Sequence, residues 1–353
     1  MKLAKKLQEG FAMSEKLNIA VVCGTNNTNR LFTSHALDKL RALGNLVVND
    51  EAAEPTPERL VELASDADVI VTSWGTPQLS KEIMEKLPKL KYVAHAAGSV
   101  KPVVSDAMFD QGVRVTSSAK VLGIGVAETA LGYTLACVKN LFNVSRSIAA
   151  GGWTPESPLK EYDDIREMFE IKIGVISAGN VGGHFMKLLS MFDVEILLYE
   201  PFITAEQAME RYGAKLCTLE EVLTQSDVVS IHAPSIPATN HMFNAETLKL
   251  MKKDASLINT ARGSIVDEQA LYEHMKAGNL KYACLDVFDP YEPPLADNPL
   301  RTLPNCIMSP HLAGLTHNGL LRIGAHCAAE IECFAAGLPL TTEVSQSQLS
   351  TSA

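Results

Sequence analysis

The 353-residue chain has no uninterrupted apolar stretch of about 18 residues, the length a membrane-spanning helix needs, so no membrane span is expected. Positive charge is also short. Thirty-one Lys and Arg face 41 Asp and Glu, for a net charge of −10, and no basic patch or stripe stands out, which argues against a nucleic-acid partner. The one basic cluster lies in Met1–Glu15. It is too short and too weakly apolar for a signal peptide, and reads as an extra leader before a start at Met13 or as a non-native extension. Cysteine is sparse: Cys23, Cys137, Cys217, Cys284, Cys306, Cys327 and Cys333 are scattered, odd in number and without C-x-x-C spacing. That excludes a disulfide framework and a thiolate zinc site, and fits free packing thiols in a reducing cytoplasm. Histidines 35, 95, 184, 241, 274, 317 and 326 form no metal-ligand set, so no metal is expected. Internal repeats are absent.

What is present is an alternation of short apolar runs with helical patterns, the mark of parallel sheets covered by helices on both faces. Strands are expected at Asn18–Cys23, Asn45–Val48, Asp68–Thr72, Lys91–His95 and Val113–Thr116, with helices near Leu31–Leu43 and Thr56–Ala64. A helical stretch near Val126–Phe142, almost free of charge at its centre, reads as buried. Gly151–Pro155 opens a loop. A second half follows, with strands at Lys172–Ile176, Val194–Tyr199, Val228–His232, Ser256–Asn259, Tyr282–Asp286 and Cys306–Ser309. A final helix near Asn318–Ala336 stops at Gly337, and the polar tail Ser345–Ala353 is expected to be disordered. A chain of this length suggests two domains.

The segment K-I-G-V-I-S-A-G-N-V-G-G-H at 172–184 is a strand, a tight turn and a helix start. It follows the dinucleotide frame G-x-G-x-x-G with Ser177 in place of the first glycine. Gly179 would let the backbone approach a pyrophosphate, Gly182 would let helix and strand pack closely, and the N–H groups of Asn180 and Val181 at the helix start favour phosphate. Glu200 ends the next strand, 18 residues after Gly182. An acid there accepts ribose hydroxyls and repels a 2′-phosphate, and no Arg or Lys follows in 201–207, so NAD is expected rather than NADP. A serine at the first position pays strain if its φ is positive.

Three further motifs end strand-like runs: I-N-T-A-R-G-S-I-V-D (258–267), L-D-V-F-D-P-Y-E-P-P (285–294) and S-P-H-L-A-G-L-T (309–316). An arginine matches a carboxylate bidentately, a histidine moves a proton near neutral pH, and a glutamate sets the state of that histidine. In this order, with H-A-P-S-I-P-A-T-N-H (232–241) and V-A-E-T-A-L (126–131), they resemble the D-isomer-specific 2-hydroxyacid dehydrogenases across the second half of the chain. The first half matches loosely, through its α/β pattern and A-A-G-S-V (96–100).

The resemblance implies two doubly wound α/β parallel-sheet domains: a flavodoxin-like substrate domain at 1–125 with 317–353, and a Rossmann NAD-binding domain at 126–316, with the active site in the cleft between them. It implies Arg262 on the substrate carboxylate, His311 as proton donor to the carbonyl oxygen, and Glu292 on the other ring nitrogen, where it fixes the tautomer and favours the protonated ring. Tyr291 looks like a one-residue insertion, and Asp289 is the alternative acidic partner. Thr260, Ala261 and Asp286 would line the nicotinamide end of the cofactor, and His232, Pro234 and Thr239 its far wall. Ala97, Gly98 and Ser99 would offer N–H groups to the substrate carboxylate, and Trp74 would wall the pocket. The implied enzyme transfers a hydride between nicotinamide and C2 of a small D-2-hydroxy or 2-keto acid, as a homodimer. The alternative is an NAD(H)-sensing binding protein of the same fold that acts through protein partners, as related corepressors do.

Overall fold

The computed structural model describes residues 16–153 and 164–350; the basic segment 1–15, residues 154–163 of the expected loop and the last three residues lie outside it. The described chain forms two compact units, Met1–Leu122 with Thr316–Ala353, and Gly123–Leu315.

The first unit is built on β1 (Leu17–Val21), β2 (Gly44–Val48), β3 (Val69–Thr72), β4 (Tyr92–His95) and β5 (Arg114–Ser117). All pair in parallel in the order β2-β1-β3-β4-β5, the flavodoxin-like order. The central strands β3 and β4 are buried at every residue, as strands covered on both faces must be. The helix Pro57–Ala64 starts where expected: Pro57 takes the first helical position and Thr56 Oγ1 accepts the Arg59 N–H at 3.3 Å. The helical region near 31–43 is instead two helices, Thr25–Leu31 and Ser34–Leu43, because Phe32 is extended and Thr33 caps the second by accepting the Ala36 N–H. The closing helix, Leu321–Ala335, packs on β4, where Phe334 stacks on Tyr92 with centroids 4.9 Å apart. The tail corrects an expectation. Val344 and Leu349 sit against the core, Gln346 Nε2 donates to Asp106 Oδ1 at 2.8 Å, and Gln346–Ser350 is a 3₁₀ turn. Two apolar anchors suffice to order a polar segment.

The second unit holds β6 (Phe169–Ile176), β7 (Asp193–Tyr199), β8 (Lys215–Leu216), β9 (Val228–Ile231), β10 (Ser256–Asn259), β11 (Tyr282–Leu285) and β12 (Cys306–Met308). The all-parallel order β12-β11-β10-β9-β6-β7-β8 reverses direction between β6 and β9, the doubly wound pattern whose crevice takes dinucleotides. Strand residues alternate between two apolar cores. Val229, Leu257 and Leu285 face one, and Val175, Ile258 and Cys284 the other.

The long apolar helix runs over Ala119–Val138, seven residues earlier than its sequence pattern indicated at the start. The Ser117 side chain accepts the Ala119 N–H at 3.0 Å and supports that earlier start. It ends before Asn140, whose left-handed φ of 53° begins a separate helix, Leu141–Ala149. By length and mean hydropathy (1.6) Ala119–Val138 is also the one helix among the described residues apolar enough to cross a membrane, although Glu128 interrupts its apolar run. It instead packs Ala127, Ala130, Cys137 and Val138 into the second unit's core. All seven cysteines are free, five of them buried.

Candidate active site

The turn after β6 has the geometry its sequence implied. The helix Asn180–Leu189 begins with Gly179 as cap and no side chain on its first amides, which stay available to an anion. Gly182 is obligatory, since a Cβ there would lie 2.0 Å from the Ser177 carbonyl oxygen, whereas one on Gly179 would meet open space. Ser177 adopts φ 77°, a left-handed conformation costing an L-residue about 1–2 kcal/mol. Its hydroxyl donates to Glu200 Oε2 at 3.0 Å, and the Ala178 N–H donates to the same oxygen at 2.9 Å. Glu200 therefore stands at the mouth of the turn, held from two sides.

Beside this turn, at the ends of β9 and β10, two buried polar atoms lack a partner: His232 Nδ1 and Thr260 Oγ1. His232 accepts its place from the sheet, its N–H bonded to the Ile176 carbonyl at 2.9 Å, while its Nε2 meets Ser230 Oγ at 3.0 Å. Burial pushes its imidazole down to about 3, so it is neutral. Unpaired buried polar atoms, an uncapped helix start and a fixed carboxylate are what a dinucleotide would satisfy, so these residues fit the cofactor. Thr239 differs. Its hydroxyl donates to the Pro234 carbonyl at 2.6 Å and closes the Pro237–Thr239 turn, so it shapes the loop around Pro234 rather than facing a ligand.

Arg262, Glu292 and His311 come together in the second unit. His311 Nδ1 lies 2.7 Å from Glu292 Oε2, and the other glutamate oxygen accepts the Phe288 N–H at 2.8 Å. Glu292 is thus the partner of His311, while Asp289 gives its N–H to Glu268 and Tyr291 points outward, 56% exposed. Arg262 follows β10. Burial lowers its guanidinium below the usual value and the nearby Glu292 charge opposes that fall. Among the described residues its only side-chain hydrogen bond runs from Nη1 to the adjacent Ala261 carbonyl, at 2.6 Å, and no carboxylate pairs with it. Most of its donors are uncommitted. Gly263 lets the two loops meet, because a Cβ there would sit 2.1 Å from the Phe288 carbonyl carbon.

Asp286 was expected to line the cofactor, but its carboxylate is 1% exposed and turned to the histidine loop. Oδ1 accepts the Leu312 N–H at 3.0 Å and the Ser309 hydroxyl, and Oδ2 the Ala313 N–H at 2.8 Å. The His311 N–H bonds the Asp286 carbonyl at 2.9 Å, which holds His311 at φ 53°. Tyr133, from the apolar helix, donates to Ser309 Oγ at 2.8 Å. Tyr133 carried no sequence signal, and Ser309 opens the S-P-H-L-A-G-L-T motif without a role assigned to it.

In the first unit, the amides of Ala97, Gly98 and Ser99 make no hydrogen bond to the described residues, as an anion-binding loop requires. The loop is braced from below. His95 Nδ1 meets Thr72 Oγ1 at 2.9 Å, its ring also bonds the Ser99 backbone, and burial pushes it down to about 4. Trp74 is half-buried, and its carbonyl accepts from Asn27 Nδ2 at 3.3 Å. Asn27 also donates to Glu54, which in turn accepts the Gly24 N–H at 3.0 Å. This polar cluster went unread, since an acid and an amide 27 residues apart give no local pattern. His95, directly before the A-A-G-S-V loop, was a readable signal.

Comparison with known proteins identifies the family. The profile of the D-isomer specific 2-hydroxyacid dehydrogenase, NAD binding domain, matches residues 131–313. D-3-phosphoglycerate dehydrogenase from Methanocaldococcus jannaschii is 34% identical over 84% of this chain and 55% of its own length. Glyoxylate reductase from Korarchaeum cryptofilum is 30% identical over 87% of this chain and 92% of its own. The solved structure of D-2-hydroxyisocaproate dehydrogenase superposes with a TM-score of 0.77 over 93% of this chain and 99% of the other, at 24% identity, a likeness of fold. The chain spans about half the length of the phosphoglycerate dehydrogenases it matches.

Proposed function

The chain belongs to the D-isomer specific 2-hydroxyacid dehydrogenase family, whose NAD-binding domain it carries, and from that premise we propose that it reduces a small unphosphorylated 2-keto acid to the D-2-hydroxy acid, and catalyses the reverse oxidation. The observation that carries this reading is the 2.7 Å bond between His311 Nδ1 and Glu292. It fixes the ring so that Nε2 is the nitrogen left to serve the substrate. When bound, NAD would supply or take the hydride at C2. During reduction His311 Nε2 gives its proton to the carbonyl oxygen, and Glu292 stabilises the charged ring beforehand without itself taking the proton. Arg262 holds the carboxylate with its free donors. We assign Ala97, Gly98, Ser99 and Trp74 to substrate binding as well.

An unphosphorylated substrate is favoured because the sequence shows no Arg/Lys cluster for a phosphate. A homodimer is supported by the helix Leu141–Ala149, none of whose residues is fully buried by the described residues and which leaves Leu141 and Ile148 exposed. NADH oxidation with glyoxylate, hydroxypyruvate, pyruvate and 3-phosphohydroxypyruvate tests the activity. His311→Ala should cut turnover by about 10²–10⁴-fold with NADH affinity retained. Tight NADH binding with no turnover on any keto acid would overturn the enzymatic reading.

A further inference from the structure

The serine at the first position of the nucleotide turn departs from glycine and adopts a positive φ, so the chain bears a strained residue where a strain-free one was available. What the strain maintains is visible. The Ser177 hydroxyl and the Ala178 N–H converge on Glu200 Oε2, at 3.0 and 2.9 Å. Among the described residues the second oxygen, Oε1, accepts only the longer Phe202 N–H bond, at 3.3 Å, and keeps acceptor capacity. The carboxylate is therefore immobilised through one oxygen and offered through the other.

We propose that Ser177 is a positioning residue for nucleotide choice: it locks the Glu200 carboxylate at the turn so that a diphosphate ribose with free hydroxyls is accepted and a 2′-phosphorylated one is rejected. The proposal rests on the reading of this turn as the NAD site. Ribose hydroxyls donate to Oε1 and leave the lock intact. A 2′-phosphate brings about two negative charges against a carboxylate. In an unlocked site the glutamate rotates away and the phosphate is tolerated. Here rotation breaks both bonds to Oε2 and leaves the Ser177 hydroxyl and Ala178 N–H without their acceptor, so the penalty falls on the phosphorylated nucleotide alone. Glycine at 177 would relieve the backbone but leave Glu200 Oε2 held by the Ala178 N–H alone, which gives a reason for the strained residue.

The test is fluorescence titration of NADH and NADPH into the full-length wild-type protein, Ser177→Gly and Ser177→Ala, with thermal melting of each. Wild type should prefer NADH. Both variants should lower the ratio of NADPH to NADH dissociation constants by about tenfold, the worth of one charge-assisted hydrogen bond at a half-buried site, almost all of it through tighter NADPH binding. Ser177→Gly should melt no lower than wild type, which separates nucleotide choice from stability. A ratio unchanged in Ser177→Gly overturns the proposal, as does a ratio that falls in Ser177→Gly but not in Ser177→Ala, since backbone release would then be the cause. Failure of wild type to bind either nucleotide would instead remove the NAD site itself, and the lock with it.

Discussion

Asp286→Asn would show how much of the catalytic geometry depends on a side chain outside the reacting set. The carboxylate receives Ser309 and Leu312 on one oxygen and Ala313 on the other. Asparagine keeps one oxygen. Its better orientation retains the first pair and turns an NH₂ group onto the Ala313 N–H, so one charge-assisted bond is lost and two donors face each other at a site 1% exposed. Such a change costs about 2–3 kcal/mol. For a unit of this size each kcal/mol lowers Tm by about 2–4 °C, so differential scanning should show a fall of about 4–12 °C. His311 rides on the same loop, and a displacement of about 1 Å at a reacting group costs up to about 100-fold, so kcat should drop about 10–100-fold. NADH affinity should change little, because the altered bonds face the loop. A kcat within about twofold of wild type, with an unchanged melting curve, would refute the view that Asp286 positions His311.

Arg262→Lys should chiefly raise KM for the keto acid, by about 10-fold or more, because a point charge replaces the bidentate fork; an unchanged KM would place the substrate carboxylate elsewhere. Acid should weaken the first unit through His95, whose folded value near 4 lies below the ordinary 6.5. The unfolded chain takes up the proton first, so stability is full above pH 6.5 and falls as pH drops toward 4, by about 2 kcal/mol between pH 7 and 5. Urea midpoints at the two pH values, compared between wild type and His95→Gln, measure this. The lowered carboxyls of Asp68 and Asp227 lose their contribution only at more acid pH, below their ordinary range, so an equal pH 7-to-5 difference in His95→Gln would exclude His95 as the source.

Most strands, the nucleotide turn and the Arg, Glu and His motifs were legible because each depends on a local pattern: an apolar run, a glycine spacing or a strand-end position. Elements fixed by distant partners were not. The two-residue strand β8 is defined only by pairing with β7. The choice of Glu292 over Asp289 turns on how a proline-rich loop lies against Gly263, 26 residues or so away in sequence. The three bonds to Asp286 reach 23–27 residues along the chain, and Tyr133 reaches 176 to Ser309. Ser177 was legible as an irregularity, and the hydrogen bond to Glu200 supplies its purpose.

The first unit is closed by its last segment. Glu343 pairs with Arg114 through two hydrogen bonds of 2.6 Å, and the helix Leu321–Ala335 packs on Ser34–Leu43. During synthesis the residues of Gly123–Leu315 must all emerge before that helix does. At about 5–20 residues per second the ribosome takes about 10–40 s over them. Through that interval β4 and the helices Thr25–Leu31 and Ser34–Leu43 wait without the helix that packs on them, while every residue of the second unit has been made. The nascent N-terminal half is therefore exposed to aggregation for longer than the second unit. A chain cut short before Leu321 should be lost to aggregation or proteolysis, even though every reactive side chain has already been made.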